Sequence, residues 1–318
     1  MGYRNYSLDV LKFILAYEVV MLHCSQEPVG IVRPIVDSAV PCFFMVSGYL
    51  IYTEDIEKYK GKLLRAIKRI CYILLWSSFL CGLNDLYRLL FCQEVGNFTL
   101  KAFFYFIVFN ENPFAFHLWY ISAYLYTLLF FIILLKNKIQ VQVWWVFGLW
   151  AFGIVVVIAY YHIFHNDINF IYIRNFLFQG IPCFGFGLFV KKNEAHIKII
   201  KKRHFFFFLI VIVVMAILIK GVESYSIETY IFSELIALFT LLLFTKIQIN
   251  TENFISVLGK EDGLYIYVFH PLIMNFLKTD YILSSFGYNA YLHSTIVFLL
   301  TIVSIRIFQL SKRLYICP

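Results

Sequence analysis

The apolar residues of this chain fall in long unbroken runs, not in the every-second-residue alternation of half-buried strands. Runs of about twenty, the length that crosses a bilayer as a helix, lie near 8–25, 35–53, 68–91, 118–135, 141–161, 170–190, 205–220, 227–246, 262–278 and 289–310. The pattern predicts an all-α membrane protein, a bundle of about ten transmembrane helices. It excludes a β-barrel, whose strands would alternate between lipid and lumen.

The first run, LDVLKFILAYEVVMLHCS from Leu8 to Ser25, breaks its own apolar character with Asp9, Lys12, Glu18 and His23. Ionisable groups at membrane depth are costly and face a polar cavity or a partner. At roughly 100° per residue, Asp9, Lys12, Ala16 and His23 share a stripe about 60° wide, and Glu18 points away from it. Lys12 and His23 stand about 16 Å apart along the axis. The stripe is a candidate active-site wall, with a fixed cation toward one membrane face and a titratable imidazole toward the other. A neutral imidazole takes a proton from a hydroxyl near pH 7 without a metal. Lys12 would hold an anionic donor or stabilise an oxyanion; its alternative role is a local ion pair with Asp9 at i,i+3.

Composition supports the same class: 61% of the 318 residues are hydrophobic and only 14% are charged, more apolar surface than a soluble domain can hide. The expectation is a single transmembrane domain over 1–318, with no soluble domain and no cleavable signal. The formal charge of +8 suggests nucleic acid at first, but its distribution argues against nucleic acid. With both termini cytoplasmic, Arg4, Lys58 to Arg69, Lys136, Lys138, Lys191 to Arg203, Lys246, Lys260, Lys312 and Arg313 gather inside, against Arg33, Lys101, Lys220 and Lys278 outside. The expected location is the cell membrane, with lipids as partners. The seven cysteines lack CxxC spacing and read as small buried hydrophobes.

Further candidates lie along the other runs. In PCFFMVSGYLIY, Ser47-Gly48 permits close helix approach, and Tyr49 offers a hydroxyl. Arg69 closes the basic KLLRAIKR segment, where a guanidinium can meet phosphate bidentately. In FHLWYISAY, an aromatic belt accounts for Trp119 and Tyr120, and His117 is harder to explain that way. Arg174 opens the sixth run, in which Pro182 is expected to bend the helix. His270 precedes Pro271 deep in the ninth run; its alternative role is to satisfy the carbonyl of Tyr267 or to meet Glu234. His162 and His165 lack further ligands at metal spacing, and no metal, haem, phosphate-loop or GxSxG signature is present.

Taken in order, YSLDVLKFILAYEVVMLHCS, AVPCFFMVSGYLIY, KLLRAIKRICYILLW, HLWYISAYLYTLLFF, RNFLFQGIPCFGFGLFVKKN and LGKEDGLYIYVFHPLIM resemble the acyltransferase 3 family of multi-pass membrane O-acyltransferases. The resemblance implies transfer of an acyl group, commonly acetyl, from cytosolic acyl-CoA to a hydroxyl of a cell-surface glycan or its lipid-linked precursor. The acyl-CoA is a donor substrate; no permanently bound cofactor is expected. The family's basic-x10-histidine motif falls on Lys12 and His23, with lysine where arginine is frequent, which keeps charge but loses bidentate anion holding. Its Ser-Gly-aromatic motif falls on Ser47, Gly48 and Tyr49. Relatives with a carboxylate just beyond the HLW-like segment differ, since Tyr124 and Tyr126 stand here. The expected assignment is His23 and Lys12 as catalytic, with Ser47, Tyr49, Arg69, His117, Trp119, Arg174 and His270 holding substrate or shaping its pocket. The competing class is a transporter or flippase for a lipid-linked or polymeric glycan, which intramembrane charges and kinked helices also suit.

Overall fold

The computed structural model describes residues 5–24, 32–92, 99–113, 115–164, 172–220, 227–277 and 290–316, and among them every regular element is helical. In chain order the helices are α1 (Tyr6–Cys24), α2 (Arg33–Asp37), α3 (Ala39–Ile51), α4 (Ile56–Cys92), α5 (Leu100–Phe109), α6 (Trp119–Lys136), α7 (Val143–Phe164), α8 (Ile181–Lys192), α9 (Glu194–Ile199), α10 (Lys202–Lys220), α11 (Ile227–Lys246), α12 (Phe254–Glu261), α13 (Gly263–Leu277) and α14 (Ala290–Ile316). Each apolar run carries helix. Six stretches among the described residues are long and apolar enough to cross a membrane: Arg33–Ile51, Ile56–Leu83, Phe116–Lys136, Val143–Phe164, Lys202–Ile219 and Tyr291–Ser311. The chain is a multi-pass membrane protein; α1 falls outside the six because Asp9, Lys12 and Glu18 interrupt it.

Two elements depart from the sequence expectation. The third run was expected to begin near 68, yet α4 begins at Ile56 and passes through the basic segment without a break. Lysine, arginine and leucine are good helix formers, and Leu63 and Ile70 are buried while Arg65 and Arg69 point outward. Arg69 therefore lies within a helix, not at its entrance. In the sixth run, Asn175 caps a π-helical turn (Phe176–Gly180) by accepting from the amides of Leu177 and Phe178. Pro182 then sits in the first turn of α8, where a missing N–H is tolerated. The irregularity this stretch shows is the π turn immediately ahead of the proline.

The chain divides into two compact units, one of Met1–Phe43, Ile200–Ser224 and Glu228–Pro318, the other of Phe44–Ile199 with Tyr225–Ile227. In the first unit α1 packs against α2, α12, α13 and α14. Gly259 of α12 makes the α1 crossing possible: a β-carbon there would collide with the carbonyl of Asp9. Phe13 and Tyr17 meet the Phe298 ring edge-to-face, with centroids 5.2 and 5.1 Å apart. The hydroxyls of Tyr17 and Thr295 lie 2.8 Å apart.

In the second unit α3 and α8 approach closely. A β-carbon on Gly48 would strike the carbonyl of Phe184, and one on Gly187 would strike the carbonyl of Met45. Around this crossing Phe44 meets Tyr120 at 4.8 Å, and Phe131 meets Phe184 at 4.7 Å. Trp119 and Tyr120 are buried. They serve the protein interior, which corrects the expectation of an aromatic belt at the membrane surface: Tyr120 packs edge-on to Phe44 and stacks with Tyr124. Of the described cysteines, Cys24, Cys42, Cys81 and Cys183 are buried and Cys71 is half-buried.

Candidate active site

Of the nine candidate site residues, Lys12, His23 and His270 belong to the first unit, and Ser47, Tyr49, Arg69, His117, Trp119 and Arg174 to the second. Lys12 Nζ lies 2.6 Å from Asp9 Oδ1, with the lysine side chain 22% exposed and the carboxylate 6%. The i,i+3 pairing that spacing allowed is thus formed, and it holds the ammonium near the start of α1.

Three turns on, His23 occupies the last turn of α1 and is half-buried. Its ring centroid lies 5.0 Å from that of His270, with the two planes inclined at 44°. The His270 ring is fully buried, and its Nδ1–H donates to the carbonyl of Ile266 at 3.0 Å. Because a carbonyl only accepts, that bond fixes the hydrogen on Nδ1. The bonded carbonyl is that of Ile266, one residue before the Tyr267 carbonyl deprived by Pro271.

A third imidazole escaped the sequence reading. His293 of α14 is fully buried, and its Nδ1–H donates to the carbonyl of Cys24, 3.1 Å away. Cys24 Sγ–H in turn donates to Met274 Sδ of α13 at 3.5 Å. The available signal was a histidine interrupting the apolar run AYLHSTIV, the same kind that drew attention to His270. A second cluster joins the C-terminal end of α12 to α14: Arg306 lies 2.7 Å from Asp262 and 3.2 Å from Glu261, and Gln309 donates to Asp262 at 2.9 Å. Glu18 points away from His23 as its helical angle requires; it lies near Cys42, and its buried Oε2 has no hydrogen-bond partner among the described residues.

In the second unit, Ser47 shares a hydrogen bond with the Tyr124 hydroxyl, which also lies within the field of Arg69. Tyr49 is buried, lies beneath the Lys191 ammonium at 4.9 Å, and bonds to Glu194. Partial burial works against the charge on Glu194, but hydrogen bonds from Lys191 and Lys198 outweigh it and hold the carboxyl below its ordinary range. His117 is buried in the 3₁₀ turn (Phe116–Leu118) that leads into α6. Trp119 is 9% exposed, and its carbonyl accepts from Asn110 Nδ2. Arg174 is half-buried in the turn before Asn175. Among the described residues no group of three or more histidine, cysteine or acidic side chains is placed to hold a metal; His165 lies outside those residues.

In the first unit the arrangement offers a proton acceptor at the end of a helix, a second imidazole against it, and a held cation three turns below. Such a set suits proton transfer from a hydroxyl near an anionic reactant. Comparison with known proteins returns the acyltransferase domain family, whose model matches residues 5–308. No curated protein and no solved structure matches the chain.

Proposed function

The chain belongs to the acyltransferase 3 family and is an acyltransferase of the membrane; on that premise we propose that it is an O-acyltransferase, moving an acyl group from cytosolic acyl-CoA to a hydroxyl of a cell-surface glycan or its lipid-linked precursor. The observation that carries this reading is the His23 and His270 ring pair at the end of α1. His23 removes the proton of the acceptor hydroxyl as its oxygen attacks the thioester carbonyl. The new C–O bond forms, the C–S bond breaks, and the proton on His23 passes to the departing CoA thiolate. A general base of this kind contributes roughly 10²–10⁴-fold to rate. The Lys12 ammonium, steadied by Asp9, balances negative charge on the donor or on the developing oxyanion.

Ser47, Tyr49, Arg69, His117, Trp119 and Arg174 enter as the substrate-holding set. Arg69 suits phosphate best, since its guanidinium is exposed and bidentate. Membrane placement follows the charge bias: both termini cytoplasmic, and α1, α8, α11 and α13 adding four crossings to the six apolar spans in the cell membrane.

The test uses the full chain in native membrane vesicles supplied with labelled acetyl-CoA. Label should enter the vesicle glycan or lipid-linked glycan fraction as an alkali-labile ester, and His23→Ala should lose that incorporation. Transfer at the parental rate by His23→Ala would remove the base. Intact transport of glycan together with unchanged ester content in a deletion strain would instead favour a transporter.

A further inference from the structure

We propose that the cations gathered at the C-terminal end of α3 (Lys62, Arg65, Lys191 and Lys198) hold the phosphate of an anionic phospholipid headgroup. All four belong to the second unit. Lys62 of α4 reaches back to the last turn of α3, where its ammonium donates to the carbonyl of Leu50 at 3.0 Å. The C-terminal end of a helix carries partial negative charge, so a cation is favoured there. Lys191 of α8 lies over the ring of Tyr49, the residue before Leu50, at 4.9 Å. Lys62 stands within the field of both Lys191 and Arg65. The Arg65 guanidinium folds back along α4 to Gly61, where a β-carbon would lie 3.6 Å from Nη1. Lys198 of α9 joins the group through Glu194, whose carboxylate it shares with Lys191.

Three elements thus bring positive charge to one end of one helix, and the nearby acids leave a surplus of it. Asp55 pairs with Lys58 and Glu57 with Lys60, while Glu54 lies beside Tyr52. Like charges held together repel, and an anion placed among them relieves that repulsion. Ammonium and guanidinium groups both bind phosphate, the guanidinium bidentately. The apolar surroundings select which phosphate. Leu50, Leu64 and Ile199 are exposed, and each is tied to one of the cations. Leu50 offers its carbonyl to Lys62, Leu64 precedes Arg65, and Ile199 follows Lys198. A soluble phosphate gains nothing from such neighbours. A phospholipid brings its acyl chains to them and its phosphate to the charged heads, with the lysine and arginine stems lying between. A zwitterionic headgroup would carry its own ammonium into the cluster and be repelled, so the favoured lipid is one of net negative charge.

The experiment titrates the purified full chain in neutral detergent with dioctanoyl phosphatidylglycerol, dioctanoyl phosphatidylcholine or inorganic phosphate. Native mass spectrometry counts the bound lipid, and the unfolding midpoint gives a second reading. Phosphatidylglycerol should be retained at about tenfold lower concentration than phosphatidylcholine and should raise the midpoint. Lys62→Gln, Arg65→Gln and Lys191→Gln should each weaken its binding by about fivefold and leave phosphatidylcholine binding as it was. Lys136→Gln with Lys138→Gln removes two exposed cations at the end of α6 and should leave binding within about twofold of the parent. Should Lys62→Gln or Lys191→Gln fail to accumulate, Arg65→Gln carries the test, since that side chain is exposed. Equal retention of the two lipids would overturn the proposal, as would an equal loss in the α6 variant, which would mean diffuse attraction and no site. Displacement of phosphatidylglycerol by inorganic phosphate at matched concentration would overturn it too, by assigning the cluster to a soluble phosphate.

Discussion

His23 and His270 set their rings 5.0 Å apart, one from the last turn of α1 and the other from the middle of α13. The His270 ring is pinned through Nδ1 to Ile266, which leaves Nε2 on the opposite edge of the ring. His270→Asn separates the two, since the amide keeps a donor near Nδ1 and removes Nε2. The expected result is a folded protein with acyl transfer down about a hundredfold. Parental activity in that variant would limit His270 to its backbone bond.

Lys12 and Asp9 form a close ion pair at 2.6 Å with unequal exposure. Replacing one partner of a fully buried pair costs roughly 3–5 kcal/mol; with Lys12 22% exposed the cost of Lys12→Met should be smaller, about 1–3 kcal/mol. The double variant Asp9→Asn with Lys12→Met should recover most of that stability but none of the activity, and Lys12→Arg should keep both in large part. Thermal unfolding in detergent alongside the acetyl-CoA assay measures the two effects separately. Recovery of activity in the double variant would reduce Lys12 to a structural ion.

Gly48 and Gly187 answer each other across the α3 and α8 crossing, each lying where a methyl would meet the other helix's backbone. Neither backbone can yield as a flexible side chain does, so Gly48→Ala or Gly187→Ala should destabilise by about 1–3 kcal/mol or more. Gly148 has open space beside it; Gly148→Ala should raise stability by up to about 1 kcal/mol through helix propensity. Yield and melting temperature of the purified variants decide this. Equal tolerance at all three sites would mean the crossing is looser than the structure draws it.

The helices were legible because lipid-facing and buried faces are both apolar, so runs of about twenty residues stand out without any need to know what they touch. Lys12 and His23 stand out in the sequence for the opposite reason, as ionisable groups in an apolar run where charge is expensive. What escaped depended on partners distant in the chain. His293 and Arg306 are each a single polar residue in an apolar helix, and only folding puts the Cys24 carbonyl beside the first and Asp262 beside the second. The π turn at Phe176–Gly180 escaped because its cause is the Asn175 side chain, which caps two amides and so sets the register ahead of Pro182. Trp119 and Tyr120 were misplaced because an amphipathic ring satisfies a membrane surface and a protein interior equally well.

Asn110 ties three elements together from a left-handed backbone position, φ 55°. It ends α5, its Nδ2 donates to the carbonyl of Trp119, and its Oδ1 accepts from the amide of Phe176. Asn110→Gly keeps the backbone conformation and loses both side-chain bonds, at roughly 1–3 kcal/mol for each group left unsatisfied. Asn110→Ala should cost about 1 kcal/mol more, because alanine resists a positive φ. A glycine variant less stable than the alanine variant would contradict this account of the turn.

Glu194 links folding to acid through Lys191 and Lys198. Its folded carboxyl lies below its ordinary range because those two ammonium groups outweigh the opposing effect of burial. A depressed carboxylate contributes stability that is fully present above its unfolded pKa and is lost as pH falls through its folded value. Stability should therefore decline through the acidic carboxylate range, and Glu194→Gln should flatten that part of the decline while lowering stability at neutral pH. The size should be modest, since the group is partly solvated and screened. Unfolding midpoints from neutral pH down into the carboxylate range, at low and high salt, measure it; an unchanged acid slope in Glu194→Gln would assign the decline to other carboxylates.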